Sequence, residues 1–451
     1  MVKLPRFGRL RLPQRLTQRW RAGLSAQRRW WRARRRAQAA AAGGAVLFPA
    51  AGRGAIAVET LAGPQATAPT GPRIAILHAT AGSGHKRAAE SLAAALSHLQ
   101  PSAIVREVDT LVFASRLYRG TYAASYNAMA ARAPGLWGVL YHSWAAAPVN
   151  RSTAPVRLAL DRLNLRRLVR VVERESPDAV ICTHFLPVEA LSPRRGGGRL
   201  RVPLYCVITD FAAHPFWAFP HVDRYFVANP ELASEMTGLG VPSERIEVTG
   251  IPVDPKFART IGRTAARERF GLDPERPVVL VMGGGSGVGP LAEVAVRLSS
   301  LAARPAVLVM CGMNRRLRAK IDSLPEARAG LVRALGFTRD VDVLFEACDL
   351  AVGKAGGLTC AEALAKGIPL VIFKPTPGQE VRNARYLEAA GAAFHADSDA
   401  EVEEVVGRLL ADDGARAQMR ESAARIAAPH AAEIIARRVL ADIGASERLS
   451  A

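Results

Sequence analysis

Four stretches of the 451-residue chain combine residue types suited to a phosphorylated substrate. Thr80-Ala-Gly-Ser-Gly84 and Gly283-Gly-Gly-Ser-Gly287 each follow an apolar run. Glycines there admit positive φ and close backbone approach, and a helix starting after each turn offers free N–H groups, which suits a diphosphate. Neither turn ends in the Gly-Lys-Ser/Thr of a P-loop, and taken singly each is weakly diagnostic. The other two stretches are denser: Gly353-Lys-Ala-Gly-Gly-Leu-Thr359 followed by Glu362, then Gly378-Gln-Glu380 followed by Asn383. Thr359 and Glu362 fall on the first turns of an expected helix, where backbone donors meet phosphate and a carboxylate can accept two ribose hydroxyls. The plainer account is electrostatic support of the helix N-terminus. The company of Gly378-Gln-Glu380 and Asn383 favours binding. His85 is the leading candidate for accepting a proton, because imidazole titrates near neutrality. A lone histidine at a helix start is commonly a cap or packed residue, and here the adjoining glycine turn weighs against that.

These residues need strands and helices to position them. Arg73–Ala79 is an apolar strand, followed by the first glycine turn and by helical spacing from His85 to Leu99. Further strands are expected at Ala103–Asp109, Asp178–Thr183, Leu204–Thr209 and Tyr225–Ala228, with a charged helix over Val156–Glu175. A second series begins after Gly250-Ile-Pro-Val-Asp-Pro255, with strands at Pro277–Met282, Ala306–Cys311, Leu331–Gly336, Leu350–Gly353 and Pro369–Phe373. Two such series predict two facing α/β domains with parallel sheets, which bind ligands beyond the carboxyl ends of their strands. The expected segments are a basic arm 1–36, an Ala/Gly/Pro-rich linker 37–72, a first domain 73–255 and a second domain 256–451.

The formal charge of +21 is unevenly spread, because Lys3 and twelve arginines within residues 1–36 face no acid. Such a run is commonly a solvated tail. Leu12, Leu16, Trp20 and Leu24 recur every four residues, with Pro13 suited to the first turn, so the arm can also form an amphipathic helix for an anionic membrane surface. Nucleic-acid binding competes as an explanation, but no recognition motif accompanies the charge, and no specific nucleic acid is expected. The arginine-rich, acid-free composition also fits organellar targeting, though serine is scarce. No window has the roughly 18 to 20 unbroken apolar residues of a membrane span. Five scattered cysteines read as reduced core residues.

The motifs resemble the monogalactosyldiacylglycerol synthases and processive diacylglycerol glycosyltransferases, which share their donor domain with MurG-type enzymes. The resemblance spans roughly residues 73 to 430. It rests on Ala81-Gly-Ser-Gly-His85 with Arg87-Ala-Ala-Glu90; on Ile208-Thr-Asp210, His214, Trp217, Asp223-Arg-Tyr225, Val227 and Gly250-Ile-Pro252; and on Gly283–Gly287, Gly336-Phe337, Asp349, Lys354–Glu362 and Pro377-Gly-Gln-Glu380. Plant relatives usually carry a third glycine before the histidine. The resemblance implies a GT-B fold and inverting transfer of a hexosyl group from a UDP-sugar to a lipid, diacylglycerol first, at the cytoplasmic face of a membrane. It implies Gly336 and Phe337 near uracil, Gly285 and Ser286 near the diphosphate, Glu362 at the ribose, and Gln379, Glu380 and Asn383 near the sugar. Lys354, Gly356, Gly357 and Thr359 complete the expected donor site.

Asp210 and His214 are second candidates near the acceptor hydroxyl. Gly84, Trp217 and the aromatic run Trp137, Tyr141 and Trp144 are candidates for the acceptor or membrane side, although aromatic residues serve equally as core. Asp340-Val-Asp342 matches the D-x-D of metal-dependent transferases of another fold, but a capping role is expected. His78, His184 and His221 show no ligand spacing, so no essential metal or cofactor is expected. A soluble nucleotide-sugar epimerase or hydrolase of the same fold is the alternative, since fold does not fix function.

Overall fold

The computed structural model describes residues 71–80, 83–120, 147–285 and 287–450. The arm, the linker up to residue 70, the aromatic run 137–144 and Ser286 lie outside the described residues. Two six-stranded parallel sheets carry the fold. The first contains β1 (Arg73–His78), β2 (Ile104–Asp109), β3 (Ala179–Cys182), β4 (Leu204–Val207), β5 (Arg224–Val227) and β6 (Ile246–Val248), in the order β2-β1-β3-β4-β5-β6. The second contains β7 (Val278–Met282), β8 (Ala306–Gly312), β9 (Val332–Gly336), β10 (Leu350–Gly353), β11 (Leu370–Phe373) and β12 (Ala393–Ala396), in the order β12-β11-β10-β7-β8-β9.

The central strands are continuous apolar runs because helices cover both faces. In β1, Ile74 and Ile76 pack on one side with Ala89, Leu92 and Leu96, while Ala75 and Leu77 pack on the other with Leu165, Leu168 and Leu186. The order of each sheet reverses beside its first strand, between β1 and β3 and between β7 and β10. Both glycine turns therefore leave strands at switch points, where open α/β sheets hold ligands. Asp349 anchors the second of these points: its carboxylate accepts from the Val278 N–H at 2.8 Å, from Arg267 at 2.9 Å and from Arg263 at 2.7 Å.

Sequence and structure differ in two respects. The strands β6 and β12 were not expected; they are edge strands of three and four residues, Ile-Glu-Val and Ala-Phe-His-Ala, which cover one neighbour each and need no apolar run. The expected boundary at 255/256 also needs correction at the chain's end. The helix Ala431–Ser450 returns to the first sheet, where Ala432, Ile435, Ala436, Val439 and Ile443 share a core with Ile74, Ile76, Tyr205 and Phe226. Its apolar spacing states that it has a buried face without saying which sheet it covers.

No helix among the described residues is long and apolar enough to cross a membrane. Ile435 is fully buried against the first sheet. Ile435→Ala is expected to lower stability by about 2–5 kcal/mol in denaturant unfolding. No loss would show that the returning helix contributes nothing to that core.

Candidate active site

The carboxyl ends of the two sheets meet at a cleft of about 560 Å³. The first half contributes Ser83, Gly84, His85, Arg87, Thr209 and Asp210 to its walls. The second contributes Gly283–Gly285, Phe337, Thr338, Lys354, Gly356–Thr359, Thr376, Gln379 and Glu380. Three helices begin here, Gly84–Leu99, Gly357–Ala365 and Gln379–Ala389, and none has a side-chain cap on its first N–H groups. Uncapped N-termini carry partial positive charge and free donors. With Lys354 also lining the cleft, they suit an anion.

Glycine sets the geometry at two points. A Cβ on Gly357 would stand 2.0 Å from the Thr209 carbonyl oxygen, so only glycine lets this helix start touch the opposite half. At Gly287, φ is +56° and a Cβ would stand 2.4 Å from the Cys311 carbonyl oxygen, which keeps the second turn against β8.

His85 is half-buried at the first turn. Its Nδ1 lies 2.8 Å from the Thr183 carbonyl oxygen, which can only accept, so Nδ1 carries the proton and Nε2 is left as the acceptor. Thr209 Oγ1 lies 2.9 Å from the same Nδ1, and Thr183 Oγ1 donates to the His85 carbonyl at 2.8 Å. Burial pushes the imidazole down to about 4, with the Thr183 bond opposing. His85 is therefore a neutral ring at physiological pH, weaker as a base than its residue type suggests. The His184 ring meets it edge-on at 4.6 Å, and Trp217 stands at 6.2 Å.

The remaining expected residues separate by position. Asp210 lines the cleft, burial raises its carboxyl, and Oδ1 accepts from Asn383 Nδ2 at 3.1 Å. His214 is not among the residues lining the cleft; it is 5% exposed and its Nδ1 accepts from the Phe216 N–H at 3.2 Å, capping the turn Pro215–Trp217. Trp217 is 4% exposed and packs behind His85, which makes it core rather than membrane surface. Phe337 is 68% exposed at the lip, an open aromatic face for a base. Glu380 faces the cleft and accepts the Thr376 N–H at 2.5 Å. Asp340 and Asp342 pair with Arg269 at 2.9 Å and Lys256 at 3.5 Å.

Two donor-site expectations change in character. Asn383 is fully buried beneath the cleft: Oδ1 accepts from the Phe211 N–H at 2.9 Å, and Nδ2 donates to Asp210 and, at 3.0 Å, to the Ala355 carbonyl. It clasps the two halves and has no amide group left for a sugar. Glu362 is 1% exposed, and Arg87 from the first half forms an ion pair with it. Burial raises its carboxyl to about 7 against the pull of Arg87, and Oε2 has no hydrogen-bond partner among the described residues.

The monogalactosyldiacylglycerol (MGDG) synthase family model matches residues 85–253, and the glycosyltransferase family 28 C-terminal domain model matches residues 278–437. A processive diacylglycerol beta-glucosyltransferase of Bacillus cytotoxicus is 35% identical over 269 residues, 59% of this chain and 68% of that protein. The chain belongs to the diacylglycerol glycosyltransferase family. Among solved structures, MurG of Acinetobacter baumannii superposes with TM-score 0.54 at 17% identity, covering 82% of this chain and 99% of its own. A UDP-GlcNAc 2-epimerase of Neisseria meningitidis gives 0.54 at 14%, covering 82% and 99%. At such identities the likeness shows the fold alone, and that fold is GT-B.

For this diacylglycerol glycosyltransferase-family chain, sequence reasoning quotes Arg87 only within a motif and weighs His184 only as a metal ligand, and assigns neither a role in the site. Arg87 sits two residues past His85, on the first turn of the same helix, and that adjacency was the available signal. His184 lies two residues past the end of β3, but only the folded sheet brings it to His85. The clasp at Asn383 yields an expectation of its own. Asn383→Ala leaves the Phe211 N–H and Ala355 carbonyl buried without partners, at a cost of about 1–3 kcal/mol. Unfolding at the wild-type denaturant midpoint would exclude a role in joining the halves.

Proposed function

We propose that the chain moves a hexosyl group from a UDP-hexose to diacylglycerol with inversion at the anomeric carbon. The observation carrying this reading is the cleft itself, where a neutral histidine at a helix start of one half faces two uncapped helix N-termini of the other, with the Glu362 carboxyl buried beneath the lining. The acceptor hydroxyl attacks the anomeric carbon opposite the departing UDP, and the helix N-termini and Lys354 stabilise the anion that leaves. His85 Nε2 takes the hydroxyl proton. A ring pushed down to about 4 accepts it late, once the forming C–O bond has made the hydroxyl strongly acidic. Phe337 stacks on uracil and Glu362 receives the ribose diol. The positive charge at the leaving group comes from helix ends and side chains, so we propose that no metal or cofactor is required.

The membrane side is proposed from two features. One is the arm's charge. The other is an exposed face of the first half, where Val112, Leu117, Leu160 and Leu163 stand out among the exposed Arg116, Arg119, Arg162 and Arg166. A hydrogen bond of 2.9 Å from Ser115 to Asn164 ties the two segments of this face together. Apolar side chains among cations suit an anionic lipid surface. All five cysteines are buried and unpaired, which supports the cytoplasmic side.

Purified protein given diacylglycerol-containing anionic vesicles and a panel of labelled UDP-hexoses is expected to form a β-linked glycosyldiacylglycerol, in EDTA as well as without it. His85→Ala should slow turnover by roughly 10²- to 10⁴-fold. Free hexose, or an epimerised UDP-sugar, as the sole product would replace the transferase reading.

Removing residues 1–36 should reduce sedimentation with anionic vesicles, most strongly at low salt. Equal binding by both forms would move anchoring to the folded body.

A pH series separates the two titrating groups. A UDP-hexose has no group titrating near 7, whereas Glu362 gains a proton as pH falls through about 7 and then accepts the diol less well. Donor KM should rise below that pH, while kcat at saturation stays level to about pH 5 because His85 is still neutral. Glu362→Gln should remove the KM trend; its persistence would assign the trend to another group.

A further inference from the structure

We propose that Arg87 exchanges partners when the donor binds: free, it neutralises Glu362; with donor present, it turns to the diphosphate while the ribose takes the carboxylate. The proposal rests on the reading of Glu362 as the ribose acceptor. Arg87 lines the cleft with its side chain 36% exposed, whereas Glu362 lies below the lining with its side chain 2% exposed. The guanidinium therefore stands above the group a ribose must reach. Glu362 Oε2 is a buried acceptor with no hydrogen bond among the described residues. A cis-diol brings two donors, one for this orphan oxygen and one for the oxygen Arg87 now holds.

The released guanidinium has an anion within its own surroundings. Arg87 is on the first turn of the helix that opens at Gly84. The residue before that helix, Ser83, has its Oγ 3.1 Å from where a Cβ on Gly285 would stand, so this turn abuts the second glycine turn, the expected diphosphate position. Guanidinium binds phosphate oxygens in a two-toothed geometry that a carboxylate and a phosphate both fit. While Glu362 is ionised, the free enzyme's Arg87–Glu362 pair is internally neutral, and the exchange releases a cation into the cleft when a diol occupies Glu362. A complete nucleoside diphosphate satisfies both groups, and uridine satisfies Glu362 alone.

The test compares binding of uridine and UDP by calorimetry or competition in the full chain, for wild type, Arg87→Met, Arg87→Lys and Glu362→Gln, each checked for cooperative unfolding. Arg87→Met is expected to weaken UDP by about 10- to 100-fold. Measured on the alkaline side, where Glu362 stays ionised without Arg87 to hold its carboxyl down, it should leave uridine unweakened, since the carboxylate no longer has a competitor. Arg87→Lys should recover part of the UDP affinity and carries the comparison if Arg87→Met does not fold. Glu362→Gln should weaken both ligands by a common factor. If Arg87→Met shifts uridine and UDP equally, or neither, Arg87 does not change partner and the exchange is overturned while the ribose site stands. If Glu362→Gln leaves uridine unchanged, the ribose reading fails, and the exchange falls with it.

Discussion

The start of the helix Gly357–Ala365 meets the Thr209 carbonyl at a distance that no side chain permits. Everything at the cleft depends on that contact. Thr209 also holds His85 at Nδ1, and Gly357 opens a helix whose free N–H groups face the same space. One backbone approach thus fixes how far His85 of the first half stands from the helix start at Gly357 of the second. Beside it, Asn383 joins Phe211 and Asp210 to Ala355, Phe211 stacks on Tyr386 at 5.2 Å, and Arg382 reaches Glu235 and the Ala213 carbonyl. The returning helix 431–450 completes the seam by anchoring the chain's end in the first sheet.

Burial at this seam changes the chemistry of the groups it holds. Desolvation disfavours charge, so it keeps the His85 ring neutral and raises the Glu362 carboxyl. The helix N-termini keep their N–H groups available to an anion, because no side-chain cap competes for them. The cleft therefore holds a neutral acceptor on one side and concentrated positive potential on the other, the division that displacement of an anionic leaving group requires.

Much of this was legible in the sequence. The two βα series, the glycine turns and the segment 353–362 were visible because parallel strands buried on both faces are continuous apolar runs and because turns at strand ends need glycine. The strands β6 and β12 were not, since these edge strands of three and four residues carry no such run. His85 was identified as a residue, but its weak basicity arises from burial, against the pull of the Thr183 carbonyl, in surroundings that include His184 and Trp217, about a hundred or more positions away.

Asn383 and Glu362 mark the line between the two kinds of information. Residue type and spacing determined that an amide and a carboxylate stand at the starts of two C-terminal helices beside a phosphate-type turn, because helical periodicity and turn chemistry are local. Only the tertiary structure decided that Asn383 spends its amide joining two domains, that Glu362 is paired with Arg87 from the other half, and that helix 431–450 belongs to the first sheet. Hydrogen bonds, ion pairs and burial between residues 172, 275 or more than 300 positions apart depend on how two separately formed sheets dock. Docking is set by the sum of many contacts across the seam, and no local stretch of sequence contains that sum.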